Sequence, residues 1–236
     1  MSDSRDGSDL ELFFDPVCPF CWMTAQWVRN VARERPLNVA WRPLSLRILN
    51  EPIGYADRPA AYPDAHQRGL ELLRVVVAAR EQQGADVVGP LYAEMGEAVW
   101  NAPAPEEPTF EAVLASTAQP RDLSAILTRA GLPTELAAAA QDSGRDAELR
   151  AETEEAVRRA GGGVGTPVLS FEPPDGPAFF GPVIDEAPEG RAAVELWDAV
   201  ATLARWRGFA ELKRGLRSFP DTPLSARISR HGTQVG

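Results

Sequence analysis

The chain has 236 residues, of which 44% are hydrophobic and 25% are charged, a composition typical of a globular protein. Its formal net charge of −10 argues against nucleic acid and against an anionic membrane surface as partners. A chain of this length can form one large domain, or one domain with an insertion, without disulfide bonds for stability. The only two cysteines are therefore free for chemistry.

The N-terminal residues predict a cytoplasmic protein. Residues 1–9 are polar and acidic, and contain neither the basic start nor the apolar run of a secretory signal. No segment reaches the roughly 18 apolar residues of a membrane span. Because cytosolic thiols are kept reduced, two cysteines in CxxC spacing favour redox or metal chemistry over a structural bridge.

The first fifty residues predict a β-α-β unit. Leu10–Phe14 has strand character and ends at an Asp-Pro dipeptide. Apolar residues then recur at helical spacing over residues 18–35, with Pro19 in the first turn, where proline is accepted. Residues 38–46 predict a second strand, so the CxxC motif lies at a strand-to-helix junction.

Residues 52–161 predict a helical insertion. The segment is rich in Ala, Glu, Leu and Arg, and prolines and glycines separate its helical patterns. These patterns cover residues 64–83, 90–100, 109–117, 120–130, 133–141 and 143–160.

Strand patterns return after the insertion. Residues 166–171 and 178–181 predict a hairpin, and residues 191–207 predict a last helix. The polar, proline-containing chain beyond residue 218 is predicted to be mobile. The whole order predicts an α/β protein with a thioredoxin fold, formed by residues 1–51 and 162–236 and interrupted after its second strand.

Cys18 is the predicted nucleophile. Attack on a disulfide requires a thiolate, and a helix start stabilises one through unpaired N–H groups and the positive end of the helix dipole. Such positions lower a cysteine pKa to about 3.5–7.5. Cys21 lies one turn later and can resolve a mixed disulfide, while Pro19 and Phe20 tune the potential of the pair.

A zinc site and an inert structural pair are the alternatives for the two cysteines. Zinc would need two more ligands, and the two histidines, His66 and His231, lie at spacings that match no zinc finger. A reducing compartment disfavours a structural pair. His66 begins a polar helical segment and is expected to be exposed.

Three further positions receive predictions. Thr166-Pro167 opens a strand that faces the CxxC helix in a thioredoxin fold, where we expect a cis peptide bond. Asp15 is interpreted as a turn or cap carboxylate, with a proton acceptor near Cys21 as the alternative. Trp22 directly follows the motif and is a candidate substrate contact, although tryptophan is more often a core residue.

Residues 14–22, Phe-Asp-Pro-Val-Cys-Pro-Phe-Cys-Trp, resemble the DsbA-like branch of the thioredoxin superfamily. Within that branch the chain is most similar to the mycothiol-dependent nitroreductase and FrnE-type group. CxxC alone is moderately specific, but its combination with Gly-Thr-Pro and Phe-Phe-Gly-Pro segments in this order is a strong signature. The further matching segments, which extend the resemblance to residue 214, are 45–51, 90–92 with 95–96, 165–167, 179–183 and 196–198.

The resemblance implies a thioredoxin domain with a helical lid, in which Cys18 is the nucleophile and Cys21 its partner. It implies no tightly bound cofactor, and mycothiol or another low-molecular-weight thiol as the co-substrate. The substrate would be a disulfide or a small electrophile such as a nitro compound, and the protein would be a monomer or homodimer. Asn50 matches a position that lines the substrate cleft in that group. The other predicted substrate-binding residues are Pro19, Phe20, Trp22, Thr166 and Pro167.

The chain departs from the pattern of the group at two positions. Its reductases usually carry Trp where this chain has Phe20, and one carries His where this chain has Trp100. Phenylalanine keeps an apolar wall but lacks the indole N–H, and the loss of the imidazole removes a candidate proton donor. Disulfide exchange is therefore a stronger expectation than nitroreduction.

The same branch contains kappa-class glutathione transferases and hydroxychromene-carboxylate isomerases. These proteins keep the Asp-Pro dipeptide before the motif but typically carry Ser at the position of Cys18. They activate a bound thiol instead of performing redox chemistry. A thiol-dependent isomerase or transferase is therefore the alternative function, and a non-enzymatic thiol-binding protein is the third. The presence of both cysteines favours the oxidoreductase.

Overall fold

Four strands form one mixed sheet in the computed structural model, which describes residues 7–107, 109–215 and 218–229. The strands are β1 (Leu10–Phe14), β2 (Val39–Pro43), β3 (Val168–Phe171) and β4 (Ala178–Phe180), in the order β2-β1-β3-β4. β1 runs parallel to β2 and antiparallel to β3, and β3 pairs with β4 in an antiparallel hairpin. Helix α1 (Pro19–Glu34) connects the parallel pair.

Six helices lie between β2 and β3 in the described part of the chain. They are α2 (Leu46–Leu49), α3 (Tyr62–Gln83), α4 (Val88–Trp100), α5 (Phe110–Thr117), α6 (Leu123–Arg129) and α7 (Asp146–Arg159). Shorter 3₁₀ helices cover Ala85–Val87, Thr134–Gln141 and Ser143–Arg145. The helical patterns thus predicted α3 to α6 within a few residues. No described helix is both long enough and apolar enough to cross a membrane.

Helix α8 (Gly190–Arg205) follows the hairpin and packs against α1. The Trp27 indole N–H donates to the carbonyl of Ala193 at 2.9 Å, and its ring lies 5.8 Å from that of Trp197. A short helix, α9 (Ala226–Ser229), ends the described chain. The β-α-β and β-β-α halves on one sheet of this order constitute the thioredoxin fold, and the predicted fold class is confirmed.

Two predictions about the course of the chain are wrong. The second strand ends at Pro43 instead of residue 46, because the Ser45 hydroxyl accepts the N–H of Ile48 at 3.4 Å and caps α2. The chain beyond residue 218 was predicted to be mobile, but it packs against the protein as far as residue 229, and residues 230–236 lie outside the described residues. Its Leu224 side chain is fully buried, and the Leu224 N–H donates to the carbonyl of Trp100 at 3.0 Å.

Aromatic side chains pack α4 against the sheet and α1. The Tyr92 ring of α4 stacks on Phe14 of β1, with centroids 3.8 Å apart, and meets the edge of Trp22 at 6.1 Å. Gly96, one turn further along α4, leaves the space that the Trp22 indole occupies. This close approach holds the helices between β2 and β3 against the start of α1.

We expect Gly96→Ala to destabilise the protein by about 1–3 kcal/mol, because the added Cβ would overlap the six-membered ring of Trp22. The gain in helix propensity from Gly to Ala is about 1 kcal/mol and only partly offsets this overlap. Urea denaturation measures the difference. Gly215→Ala is the matched control, since its Cβ would meet no atom within 4 Å. Equal midpoints for the two variants would contradict the expectation.

Candidate active site

The loop before α1 fixes the position of Cys18. The N–H of Cys18 donates to the carbonyl of Asp15 at 3.0 Å, and the Asp15 carboxylate accepts the N–H of Val17, also at 3.0 Å. An aspartate that bonds two residues ahead makes a tight local turn. Cys18 is the N-cap of α1, and its sulfur accepts the N–H of Cys21 at 3.4 Å. The sulfur therefore lies at the positive end of the helix dipole.

Thr166 lies on the other side of the Cys18 sulfur. The Thr166–Pro167 peptide bond is cis, and the Cys18 thiol donates to the carbonyl of Thr166 at 3.7 Å. The Thr166 hydroxyl is buried and has no hydrogen-bond partner among the described residues. An unpaired buried hydroxyl beside a sulfur can donate to the thiolate when the thiol loses its proton.

The two thiols, both free, have opposite electrostatic environments. Burial alone would raise the pKa of Cys18, but stabilisation of its thiolate by Cys21 and by the nearby Thr166 hydroxyl outweighs burial and holds that pKa below its usual value. Burial, and then the neighbouring Cys18, raise the pKa of Cys21 well above its usual value. Cys18 is thus the thiol that ionises first.

Asp15 is a fully buried carboxyl group beneath this site. Its oxygens accept the N–H groups of Val17 and Leu46, at 3.0 and 2.8 Å, so it caps the loop as the sequence interpretation preferred. Burial raises its pKa to about 7, although both hydrogen bonds oppose the rise. Its negative charge, when present, raises the pKa of Cys18. Protonation of Asp15 removes this charge and therefore lowers the pKa of the Cys18 thiol.

A cavity of about 620 Å³ opens beside Cys18. This volume is typical of sites for small molecules. Its wall is mainly apolar and aromatic, and Arg58 is the only residue with a permanent charge among the described residues that line it. The predicted site residues in the wall are Cys18, Pro19, Phe20, Asn50 and Thr166.

Trp22, Pro167 and Cys21 lie outside the cavity wall. Trp22 was predicted to contact substrate, but its side chain is only 2% exposed because its indole fills the space above Gly96 in α4. Its position in the core corrects that prediction. Pro167 is buried behind Thr166, and Cys21 is buried behind Cys18.

Asn50 and Trp100 line the cavity, and each donates a side-chain N–H to a backbone carbonyl of the protein. Asn50 ends α2, and its amide donates to the carbonyl of Leu46 at 2.8 Å. The indole N–H of Trp100 donates to the carbonyl of Pro16 at 3.0 Å, so this ring fastens the loop before Cys18 to α4. Trp100 therefore supports the site instead of supplying the proton donor that a histidine could supply at its position.

A series of aromatic contacts that the sequence patterns did not predict extends beside the cavity from Phe20 to His66. Phe20 contacts Phe219 at 6.0 Å between centroids, Phe219 contacts Phe110 at 5.6 Å, and Phe110 contacts Tyr62 at 6.0 Å. The last contact, from Tyr62 to His66, is 5.2 Å. Phe219 is buried and does not itself line the cavity, so the chain beyond residue 218 supports the wall by packing against Phe20 and Phe110.

His66 is buried, with 6% exposure, where an exposed side chain was expected. The reason is its position on α3, because His66, Leu70 and Leu73 follow one another at intervals of four and three residues and share the buried face of the helix. This helical spacing is visible in the sequence and could have predicted that His66 is buried. No group of three or more His, Cys, Asp and Glu side chains suited to a metal occurs among the described residues.

A comparison with protein-family models matches residues 17–214 to the Rv2466c-like family, described as mycothiol-dependent nitroreductase Rv2466c. The chain belongs to this family. Family membership and the thioredoxin fold make it an oxidoreductase-type protein of the thioredoxin superfamily. The matched segment includes both cysteines and Thr166-Pro167, whereas residues 218–229 lie beyond it.

One protein sequence and two solved structures are also similar to this chain. The uncharacterized protein Rv2286c of Mycobacterium tuberculosis (strain ATCC 25618 / H37Rv) is 29% identical over 210 residues, which cover 87% of this chain and 81% of the relative. The probable DsbA oxidoreductase SCO1869 from Streptomyces coelicolor is 16% identical, with a TM-score of 0.48, over 87% of this chain and 92% of that chain. The cytosolic disulfide reductase DsbM from Pseudomonas aeruginosa is 18% identical, with a TM-score of 0.45, over 83% of this chain and 99% of that chain.

Proposed function

We propose that the protein is a thiol–disulfide oxidoreductase in which Cys18 attacks the substrate and Cys21 resolves the adduct, with mycothiol as the reductant. The observation that carries the proposal is the asymmetry of the two thiols. Cys18 lies in the cavity wall with a lowered pKa, and Cys21 lies behind it with a raised pKa. A nucleophile that borders a cavity and is backed by a protonated partner is the arrangement that thiol–disulfide exchange requires.

With a disulfide substrate, the Cys18 thiolate attacks one sulfur and the other sulfur leaves as a thiol after taking up a proton. Cys21 then gives up its proton and attacks the Cys18 sulfur, which releases the second thiol. The protein becomes a Cys18–Cys21 disulfide and the substrate gains two electrons and two protons. Two mycothiol molecules return the protein to the dithiol through one mixed disulfide and become mycothiol disulfide.

The apolar, aromatic wall of the cavity supports small flat electrophiles as a further substrate class. Two-electron reduction of a nitro group by the dithiol would give the nitroso compound, water and the Cys18–Cys21 disulfide. Both protons of the water come from the two thiols, so the reaction balances without another reductant. Phe20, Phe110 and Phe180 supply the ring faces for such a substrate.

Mycothiol is proposed as the co-substrate because the family model is described as mycothiol-dependent. A cytoplasmic location fits the proposal, since the dithiol form needs a reducing compartment. The cysteines, the Thr166 carbonyl and the cavity wall all come from one chain. A monomer would therefore hold a complete site, and a homodimer would hold two.

The test is to oxidise the purified protein and to follow its reduction by mycothiol and by glutathione at equal concentration and pH. Intact-mass analysis should show a mycothiol mixed disulfide first and the dithiol later, faster with mycothiol than with glutathione. Alkylation of the reduced protein by iodoacetamide should titrate with a Cys18 pKa below that of a free cysteine. An ordinary pKa, together with no mixed disulfide from either thiol, would refute the proposed function.

A further inference from the structure

His66 lies in the wall of the same cavity as Cys18, and the proposed function gives it no role. Its ring is held between two tyrosines, with centroid distances of 5.5 Å to Tyr55 and 5.2 Å to Tyr62. The Tyr55 hydroxyl lies 2.9 Å from Nδ1 of the imidazole. His66 lines the cavity but Tyr55 does not. Because Nδ1 is on the side of Tyr55, we take the opposite nitrogen, Nε2, to be the one that faces the cavity.

Hydrogen-bond chemistry favours one of the two positions for the proton of the His66 ring. A phenol O–H is a stronger acid than a neutral imidazole N–H, and we therefore assign Tyr55 as the donor to Nδ1. Arg47 supports this direction, because its guanidinium lies 5.4 Å from the Tyr55 ring, interacts with the phenol oxygen and can only donate. With Nδ1 accepting, the ring proton resides on Nε2.

His66 stays neutral at the pH of the cytosol. Burial is the main cause that lowers its pKa, to about 4, and the positive charges of Arg47 and Arg58 add to the effect. The tyrosine side chains that contact it, Tyr55 and Tyr62, both have a raised pKa and carry no charge at neutral pH. No carboxylate lines the described cavity. The ring therefore offers a neutral N–H to the cavity.

The other uncharged side-chain nitrogen donors of the wall are bonded within the protein in full or in part. The Trp100 indole donates its single N–H to Pro16, and the Asn50 amide donates one of its two N–H groups to Leu46. Among the described residues, Nε2 of His66 has no protein partner within hydrogen-bond distance. This nitrogen is also not one of the fully buried polar atoms without a partner, so it is open to the cavity that His66 lines. A donor that is open to a mainly apolar cavity and has no protein partner is free to bind an acceptor oxygen of a ligand.

We infer that Nε2–H of His66 is a hydrogen-bond donor to an oxygen of the substrate, and that it orients an oxygen-bearing flat electrophile against Cys18. The inference rests on the proposed function for the reaction, but the binding role does not depend on turnover. His66 transfers no proton in this role and only holds the acceptor oxygen. The site therefore favours nitro or carbonyl compounds over apolar molecules of the same shape.

The tautomer is tested by nitrogen-15 NMR of the full-length chain with labelled histidine. The protein has two histidines, and His66→Gln assigns the signals. We expect the His66 ring to be neutral with its proton on Nε2 at pH 6, and Tyr55→Phe to mix the two tautomers. A His66 that is cationic at pH 6, or protonated on Nδ1, would overturn the inference.

Binding is tested with nitrobenzene and isopropylbenzene, which are similar in shape but differ in their acceptor oxygens. The full-length Cys18→Ser protein is used so that the ligand is not consumed. His66→Leu in that background should reduce the preference for nitrobenzene roughly fivefold to tenfold, as the loss of one hydrogen bond predicts. His66→Gln, which keeps an N–H donor, should retain most of the preference. An unchanged preference, or no binding of either probe, would overturn the inference.

A separate experiment distinguishes failure of the proposed function from failure of the inference about His66. Dimethyl disulfide has no oxygen and cannot use the His66 donor, so its Cys18-dependent exchange tests the oxidoreductase by itself. This exchange should be equal in the wild type and in Thr202→Val, a change on the outer face of α8. Absence of exchange in the wild type would refute the oxidoreductase and leave the binding result to decide the role of His66. Loss of exchange only in His66→Leu would show that His66 maintains the site structurally, against the inference.

Discussion

Cys18→Ser is expected to lower turnover with a disulfide substrate by roughly 10³-fold or more, because it removes the nucleophile. Serine at this N-cap position can still accept the N–H of Cys21, so helix α1 should keep its start. The variant should therefore fold with wild-type circular dichroism and bind substrate without forming a covalent adduct. Turnover within tenfold of the wild type would contradict the assignment of Cys18.

Cys21→Ser is the companion variant, and it should accumulate a mixed disulfide at Cys18 that intact-mass analysis detects. The adduct persists because Cys21, buried behind the nucleophile, is the thiol that would release it. This variant also distinguishes the alternative functions. A thiol-dependent isomerase would keep its activity without Cys21, whereas the oxidoreductase would stop after one attack.

Asp15 is expected to make the protein less stable as the pH rises from about 4 to about 7. Its pKa is 3.8 in a model compound and about 7 in the folded protein. Between these values the unfolded chain has released the proton and the folded protein retains it. Since the folded state binds more protons in this window, the free energy of unfolding falls with pH, by about 4 kcal/mol in total. Above pH 7 the contribution of Asp15 is constant.

Asp15→Asn isolates this effect, because the amide does not titrate. The amide oxygen can accept only one of the N–H groups of Val17 and Leu46 well, so the variant should be less stable at pH 4 by about 1–3 kcal/mol. As the pH rises to 8, the free energy of unfolding of the wild type falls because Asp15 ionises, whereas the amide of the variant does not titrate. The two free energies should therefore converge or cross. Urea denaturation from pH 4 to 8 measures the difference, and a constant difference over this range would contradict the raised pKa.

Asp15→Asn should also make the Cys18 thiol more acidic, since the Asp15 charge raises its pKa. The pH dependence of iodoacetamide alkylation should shift to lower pH in the variant. Glu154→Gln is the control, since it removes an exposed carboxylate of α7 that lies outside the cavity wall.

Local features were predicted well because neighbouring residues decide them. The strand before the motif, the Asp-Pro turn and the position of Cys18 at the start of α1 follow from propensity, turn chemistry and helical spacing over about 25 residues. The thioredoxin fold followed from the order of the strands and helices. The end of the second strand did not, because the Ser45 cap competes with strand pairing over only three residues.

The lining of the cavity was harder to predict because distant parts of the chain build it. Asn50 and Thr166 were proposed from resemblance and lie in the wall. His66 in the wall and Phe219, which packs against the wall residues Phe20 and Phe110, were missed, since a polar neighbourhood in the sequence hides a residue whose burial depends on the packing of other elements. Trp22 was misplaced for the same reason, because the space that buries it comes from Gly96, a position 74 residues later.

The sequence by itself determined that a cysteine begins a helix after a buried strand, with a second cysteine one turn behind it. Turn chemistry, proline geometry and helical periodicity are short-range, and they act in any context that permits the helix. The tertiary structure alone decided the protonation of Asp15, the neutral state of His66 and the contact of Thr166 with the sulfur. These depend on burial and on charges brought together from residues far apart in the chain, because exclusion of water sets the energy of each ionised group.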